Sequence, residues 1–227
     1  MEPILVVIPA YNSESSLGNV IAKIRHHLTA SGYPYDILVI NDGSTDLTAG
    51  IATGLGVLLV NHAENLGKGA ALKSAFQYAD KNKYAVIATI DADLQHDPSS
   101  LPSMLSLFMS GNYDLIIGAR QFKANKMSLS RIISNRLTSR LISMRAKQPI
   151  LDSQSGYRII RTSAIKNITI RTSRFETESE ILIRLAQNHC RIGFFPIDTL
   201  YAGEKSHIRH IQDTLRFIKM YFHTIFN

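Results

Sequence analysis

A single cysteine, Cys190, is present among the 227 residues, so the chain cannot form an internal disulfide bond. This is typical of proteins in a reducing compartment such as the cytoplasm. No apolar run reaches the ~18 residues that a membrane-spanning helix needs. The first residues already follow the pattern of a strand, which predicts no signal peptide. We therefore expect a cytoplasmic protein, with any membrane contact peripheral and on the cytoplasmic face.

Glycine is missing from the first predicted turn, Pro9 to Ser16, which excludes the Gly-x-Gly-x-x-Gly fingerprint of dinucleotide-binding domains. A P-loop is excluded because His62 stands where its first glycine belongs and Gly69 replaces the Ser or Thr that would contact Mg²⁺. An EF-hand loop after Asp91 is excluded because His96 replaces its glycine and Pro102 its bidentate glutamate. The chain thus lacks three common single-loop sites for phosphate or calcium.

Acidic side chains are scarce in the second half of the chain. Residues 1–118 hold 6 Lys and Arg against 11 Asp and Glu, whereas residues 119–227 hold 19 against 7. Residues 120–151 contain eight basic residues and no acidic one. A basic half indicates anionic partners such as phosphates or an anionic membrane surface. We expect no nucleic-acid partner, because zinc-finger, RNP and basic leucine-zipper patterns are absent.

Apolar runs alternate with helical patterns along the chain. Strands are predicted at 4–8, 36–40, 57–60, 84–90, 113–118, 153–160 and 191–198. Helices are predicted at 17–28, 65–79, 98–108, 128–145 and 175–188, with a further helix at the C-terminal end. This alternation predicts an α/β fold: one domain, residues 1–227, with a mostly parallel sheet flanked by helices and a C-terminal helical tail. Ligands of such sheets bind at the carboxyl ends of the strands.

Polar clusters follow three of the predicted strands, at Tyr11, Asp42 and Asp91. Asp91 and Asp93 come directly after the apolar run that ends at Ile90. Carboxylate oxygens at this spacing suit a hard divalent cation such as Mg²⁺ or Mn²⁺, and such a cation typically holds phosphates. The three clusters together predict a phosphate-binding metal site at one edge of the sheet.

Eight short motifs carry a resemblance to a known family. They are ILVVIPAYNSE (4–14), VINDGSTD (39–46), NLGKGAAL (65–72), DADLQHDP (91–98), GAR (118–120), DSQSGYR (152–158), FETE (175–178) and EKS (204–206). With these motifs the chain resembles the family-2 glycosyltransferases of the GT-A fold, most closely the dolichyl- or polyprenyl-phosphate sugar synthase branch. The resemblance covers essentially the whole chain. It implies a Rossmann-like GT-A sheet and an inverting, metal-dependent transfer from a UDP- or GDP-sugar.

The resemblance also implies where the donor binds. The nucleotide-sugar site would comprise Pro9, Ala10, Tyr11, Glu14, Asp42, Asp91, Ala92, Asp93, Arg120 and Lys205. Mg²⁺ or Mn²⁺ would be held by Asp91, Asp93 and Gln95. Residues 1–118 would form the nucleotide-sugar-binding half, and residues 119–227 the acceptor-binding half with the C-terminal tail.

Two positions depart from the family pattern. Ser13 stands where relatives usually have a glutamate, and whether Glu14 replaces that glutamate is open. Relatives often carry an arginine shortly before the tail glycine, but residues 199–203 read TLYAG. The positive charge would therefore have to come from Lys205 or Arg209.

The resemblance implies three catalytic residues, Asp93, Arg120 and Asp152. During transfer, negative charge builds on the departing diphosphate, and a divalent metal with a basic side chain stabilises it. A hydroxyl acceptor would need Asp152 as its base. A lipid phosphate, with a second pKa near ~6, is already largely ionised and needs positioning by cations. We favour this acceptor, and expect its cations to be Arg131, Arg136 and Arg140.

Other functions remain open at this stage. The acceptor could be the hydroxyl of a glycan or small molecule, as in cell-wall or polysaccharide biosynthesis. A sugar-1-phosphate nucleotidyltransferase would share the sheet and the metal, but residues 9–16 lack its Gly-rich, Arg-containing loop. A non-catalytic nucleotide-sugar-binding module would not need all four residues Asp91, Asp93, Arg120 and Asp152. The apolar end, 215–226, predicts a helix for homo-oligomer or membrane-protein docking, or for the membrane interface.

Overall fold

The structure, a computed structural model, describes residues 3–121, 129–198 and 210–226. Its strands are β1 (Ile4–Ala10), β2 (Tyr35–Asn41), β3 (Leu58–Asn61), β4 (Val86–Thr89), β5 (Leu115–Arg120), β6 (Arg158–Arg161) and β7 (Ile192–Ile197). Its α-helices are α1 (Leu17–Thr29), α2 (Thr48–Gly54), α3 (Lys68–Lys81), α4 (Leu101–Ser110), α5 (Leu129–Ala146), α6 (Thr162–Lys166), α7 (Glu176–Gln187) and α8 (His210–Phe226). In the described ranges, no helix has both the length and the apolar character needed to cross a bilayer.

The strands form one sheet in the order β3-β2-β1-β4-β6-β5-β7. Strands β1, β2, β3 and β4 pair in parallel, as do β5 and β7. Strand β6 runs antiparallel to both of its neighbours, β4 and β5. The prediction of an α/β fold with a mostly parallel sheet is therefore confirmed. Because β6 is reversed, the residues that precede it lie at the same edge of the sheet as the residues that follow β1, β2 and β4.

Strand β1 is apolar throughout because helices cover both faces of the sheet. Leu5 and Val7 pack into a cluster with side chains of α3, α5 and α7. Ile4, Val6 and Ile8 point to the opposite face, into a cluster with α1 and α4. The two clusters are the core layers, and they hold the strand ends in fixed positions.

The observed secondary structure differs from the predicted one in two respects. Residues 153–157, predicted as the start of a strand, form an irregular segment, and β6 begins only at Arg158. Helices α2 and α6 were not predicted. Both have seven residues or fewer, which is too short for an apolar repeat to show over two turns.

Candidate active site

The loop after β1 is joined to the loop after β2 by hydrogen bonds. The side-chain oxygen of Asn12 accepts from the backbone N–H of Thr45 at 2.9 Å. Glu14 accepts from the N–H of Leu47 at 3.0 Å, and its own N–H donates to Asp46 at 3.0 Å. Glu14 therefore braces the two loops against each other. Its predicted contact with the donor remains a prediction.

The predicted nucleoside pocket lies at the end of β1. Ala10 is the last residue of the strand, and its carbonyl accepts from the N–H of Asp42 at 2.8 Å. Tyr11 follows directly, with 39% of its surface exposed. Pro9 is partly buried within the strand. The structure thus brings Pro9, Ala10, Tyr11 and Asp42 together, with the Tyr11 ring available to a ligand.

Asp42 is buried and holds the loop that leads into α3. Its carboxylate accepts from the backbone N–H groups of Leu66 at 3.1 Å and Gly67 at 2.8 Å. Nδ1 of His62 lies 2.7 Å from the same carboxylate, and Nε2 lies 2.9 Å from Oγ of Ser74. A neutral ring that donates from Nδ1 accepts the serine hydroxyl at Nε2. Asp42 is therefore fixed in orientation, and its predicted bond to the base or ribose would use its remaining acceptor capacity.

The two acids after β4 have different surroundings. Asp93 accepts from the N–H of Gln95 at 3.0 Å within a tight turn. Oδ1 of Asp91 lies 2.6 Å from Nζ of Lys68. His96, whose Nε2 lies 3.9 Å from Asp91, adds no positive charge at neutral pH, because burial lowers its pKa to about 4. Asp91 therefore already has a cationic partner within the protein.

Lys68, the first residue of α3, connects Asp91 to α7. Its Nζ lies 2.8 Å from Oε1 of Glu178, whose side chain is 7% exposed. Burial alone would lower the pKa of Lys68, but the carboxylates of Asp91 and Glu178 outweigh it and raise that pKa above its ordinary value. Burial would raise the pKa of Asp91, and the charge of Lys68 overcomes this and lowers it. Lys68 and Asp91 are therefore both ionised at neutral pH.

Gly156 lies directly against the ion pair of Lys68 and Asp91. A Cβ added at Gly156 would lie 2.5 Å from Oδ2 of Asp91 and 2.6 Å from Nζ of Lys68. Arg158, which is 2% exposed, fixes the segment by donating to the carbonyls of Ser155 at 2.8 Å and Glu178 at 3.0 Å. The absence of a side chain at Gly156 is therefore what lets the segment before β6 approach the acids after β4.

Arg120 and Asp152 form a second ion pair at this edge of the sheet. Nε of Arg120 donates to Oδ2 of Asp152 at 2.7 Å, and Nη2 donates to Oδ1 at 2.9 Å. Asn135 on α5 donates to Oδ1 at 3.1 Å, and Asp152 is fully buried. Burial would raise the pKa of Asp152, but the hydrogen bonds and charge of Arg120 lower it. Asp152 therefore orients Arg120, and its role as a base remains a prediction.

The structure describes the side chains of two of the three arginines predicted to bind the acceptor. Arg136 and Arg140 are exposed on α5, away from Asn135, which faces Asp152. The side chain of Arg131 and all of Lys205 lie outside the described residues. The acceptor-binding role of the three arginines is therefore not tested by these contacts.

Four residues of this site were not predicted from the sequence to have a role: Lys68, His62, Gly156 and Arg158. Lys68 stands between Gly67 and Gly69 at the start of a helix, and that signal could have identified it. Glu178 belongs to the FETE motif and lies in the first turn of α7, where the helix dipole favours an acid whether or not it has a role in a site. Its burial against Lys68 could not be read from its position in the chain.

The acids of this edge suit a divalent cation by their chemistry. Asp91, Asp93 and Gln95 offer oxygen ligands, which Mg²⁺ and Mn²⁺ prefer. Among the residues that the structure describes, however, no three His, Cys, Asp or Glu side chains converge as a preformed metal site. The side chains present therefore fit a cation whose coordination is completed by oxygens of a phosphate ligand.

Comparisons with known proteins bear on the family of the chain. Residues 5–169 match the family model of glycosyl transferase family 2. A UDP-N-acetylglucosamine–dolichyl-phosphate N-acetylglucosaminyltransferase of Methanococcus voltae is 30% identical, over 87% of this chain and 86% of that protein. A dodecaprenyl-phosphate galacturonate synthase of Rhizobium johnstonii is 29% identical, over 73% of this chain and 49% of that protein.

A solved structure extends the likeness to the fold. Glucosyl-3-phosphoglycerate synthase from Mycobacterium tuberculosis, in complex with Mn²⁺, UDP and phosphoglyceric acid, superposes with a TM-score of 0.72. The match covers 99% of this chain and 77% of that one at 19% identity. At this identity the likeness establishes the fold, which is that of the GT-A glycosyltransferases.

Proposed function

The chain belongs to glycosyl transferase family 2 and is a glycosyltransferase, and we propose that it transfers a sugar from a nucleoside-diphosphate sugar to a polyprenyl phosphate. Relatives of similar length and of greater length carry names that specify a polyprenyl-phosphate substrate. The residues 1–118 would bind the donor, and residues 119–227 would bind the acceptor.

The donor would lie along the carboxyl ends of β1, β2 and β4. Tyr11 offers an exposed ring for the base, and Asp42 is held beside it by His62. The diphosphate would lie at Asp91 and Asp93. A bound divalent cation, held by Asp93 and Gln95 with Asp91, would neutralise the charge that develops on the diphosphate. Glucosyl-3-phosphoglycerate synthase, which has the same fold, was solved in complex with Mn²⁺ and UDP, and this supports a cation of this kind.

The fixed guanidinium of Arg120 would support the departure of the diphosphate. In an inverting transfer, the bond from the anomeric carbon to the diphosphate oxygen breaks while an acceptor oxygen attacks from the opposite face. The electron pair of the broken bond stays on the diphosphate. Arg120, oriented by both oxygens of Asp152, is a positive charge that need not reorganise when this charge develops. Lys68 keeps Asp91 in position instead of adding net charge, because Asp91 and Glu178 both offset its ammonium.

One observation favours a phosphate acceptor over a hydroxyl. Asp152, the predicted base for a hydroxyl, is fully buried, and Arg120 and Asn135 donate to both of its oxygens. Arg120 and these hydrogen bonds keep its pKa low despite burial, so it accepts a proton poorly. A lipid phosphate, with a second pKa near ~6, brings its own ionised oxygen and needs no base. Because that acceptor is a lipid, the protein would work at the cytoplasmic face of a membrane as a peripheral protein.

A donor and acceptor screen tests this proposal. The protein is incubated with UDP- or GDP-sugars that carry a radiolabelled sugar, with polyprenyl phosphate or polyprenol, and with or without Mn²⁺. We expect label to enter the organic phase only with polyprenyl phosphate, and chelator to abolish it. Equal transfer to polyprenol would refute the phosphate acceptor. Full activity in chelator would refute the metal.

A further inference from the structure

Helix α8 carries an exposed apolar stripe. Leu215, Ile218 and Phe222 are 62%, 44% and 56% exposed, and their spacing of three and four residues places them on one side of the helix. The opposite side is buried, with Met220 at 4% and Thr224 at 1% exposure. The helix is therefore docked on the domain by one side and presents large apolar side chains on the other.

Helix α5 carries a similar stripe with a basic border. Leu137 and Met144 are each 59% exposed and lie seven residues apart, two turns along one side. Arg136 and Arg140 are exposed beside this stripe, and Lys147 is exposed just after the helix. The sequence of α5 contains no acidic residue. An apolar strip bordered by cations thus runs along α5 from Arg136 to Met144, the part of the helix whose exposed side chains the structure describes.

The two stripes lie near each other because α5 and α8 both pack against α7 and two hydrogen bonds join them. The Tyr221 hydroxyl donates to the carbonyl of Leu141 at 3.3 Å, and Arg145 donates to the carbonyl of Thr224. At about 100° per residue, Leu141 lies about 40° from Leu137 around α5, on the side that meets α8.

The positions of residues around the axis of α8 can be compared in the same way. Tyr221 lies within about 60–120° of the Leu215–Phe222 stripe on the side that meets α5, whereas Lys219 lies on the far side of that stripe. Lys219 is exposed. The apolar side chains of both helices are therefore central, and cations border them on both outer sides.

We propose that this face, which comprises the exposed side chains of α5 and α8, docks the protein on an anionic membrane surface. Apolar side chains between cationic borders match the acyl and headgroup layers of an anionic bilayer. Arg136, Arg140 and Lys147 on one border and Lys219 on the other would lie at headgroup depth. A second copy of this chain is a poorer match, because the same cations would meet one another across a two-fold axis.

The face lies beside the catalytic edge, so docking would bring the site close to a lipid acceptor in the membrane. Asn135, on the buried side of α5, donates to Asp152, while Arg136 and Arg140 are on its exposed side. One helix therefore contacts both the site and the proposed membrane face. The functional role of this docking rests on the proposed lipid-phosphate acceptor. Vesicle binding itself can be measured independently of transfer.

Vesicle flotation tests the docking face. Wild-type protein should float with vesicles of phosphatidylcholine and phosphatidylglycerol, and less with phosphatidylcholine alone. Ile218→Glu/Phe222→Glu should lower the partition coefficient at least ~10-fold, because two charges would enter the interface. The matched control is Met109→Glu on α4, whose side chain is 44% exposed outside this face and should leave flotation unchanged.

Transfer assays separate this inference from the proposed function. Ile218→Glu/Phe222→Glu should keep wild-type transfer to detergent-dispersed polyprenyl phosphate and lose it with vesicle-embedded acceptor. If the wild type transfers to no lipid phosphate but still floats, the proposed function fails and the docking face stands. If flotation of this variant equals the wild type, the docking face is refuted. Loss of a concentration-dependent dimer in the variant, without vesicle binding by the wild type, would assign the face to a second copy.

Discussion

Lys68 offers a sharp test of how the site is held together. Its ammonium lies 2.6 Å from Asp91 and 2.8 Å from Glu178, with 17% of its side chain exposed. Lys68→Met keeps much of the side-chain length but leaves two carboxylates without their shared cation. Removing one partner of a buried ion pair costs about 3–5 kcal/mol. Because Asp91 is 23% exposed, water recovers part of this, and we expect a loss of about 2–4 kcal/mol in the free energy of unfolding at pH 7.

The pH dependence of this loss has a defined sign. The folded protein lowers the pKa of Asp91, so its ion pair stabilises the fold above the ordinary carboxyl pKa of about 3.9. That contribution disappears as pH falls through the lowered pKa. The raised pKa of Lys68 keeps its contribution constant until strongly alkaline pH. The difference between wild type and Lys68→Met should therefore be flat from about pH 6 to 9 and shrink below about pH 4.

Urea unfolding followed by far-UV circular dichroism measures the difference, because the chain has no tryptophan for fluorescence. Lys73→Met on the same helix is the matched control, since Lys73 forms no salt bridge to a described residue. Lys68→Arg should retain most of the stability. A loss below about 1 kcal/mol, or an equal loss for Lys73→Met, would show that the ammonium does not hold Asp91 and Glu178 together.

Three further changes test the catalytic edge. Gly156→Ala should lower kcat by about 10²-fold, because its Cβ would lie 2.6 Å from Nζ of Lys68 and displace the acids. Asp93→Ala should abolish metal-dependent transfer while the thermal unfolding midpoint stays near that of the wild type; retained activity with Mn²⁺ would refute its role as a ligand. Asp152→Asn should reduce transfer to a phosphate acceptor about 10- to 100-fold by misplacing Arg120, and by far more if a hydroxyl is the acceptor.

Two substitutions elsewhere in the chain serve as controls, one for the glycine and one for the two aspartates. Gly50→Ala on α2 meets no atom within 4 Å and should leave transfer unchanged, whereas equal loss would indicate a general effect of the substitution. Asp114→Asn alters a surface pair with Arg161 at 3.6 Å and should not change transfer. If Asp152→Asn left kcat for phosphate and hydroxyl acceptors equally intact, the assignment of Arg120 would be wrong.

The sheet was largely predictable because its strands are covered on both faces. A strand in that environment must be apolar at every position, and β1 and β2 show such continuous runs. The direction of β6 was not predictable, since the sequence of Arg158–Arg161, RIIR, has no feature that distinguishes parallel from antiparallel pairing. Only its pairing with Ala88 and Ile116, far away in the chain, sets its direction.

The sequence by itself determined the α/β class, the acids at the end of β4 and the family to which these motifs belong. Each depends on residues that are neighbours in the chain, so local spacing carries the information. The tertiary structure alone decided that Lys68 joins Asp91 to Glu178 and that Asp152 is buried under Arg120. These contacts join residues from 23 to 110 positions apart, and no local periodicity encodes which distant charges meet. They arise because the reversed β6 and the helix α7 bring their polar residues to the edge where β1, β2 and β4 end.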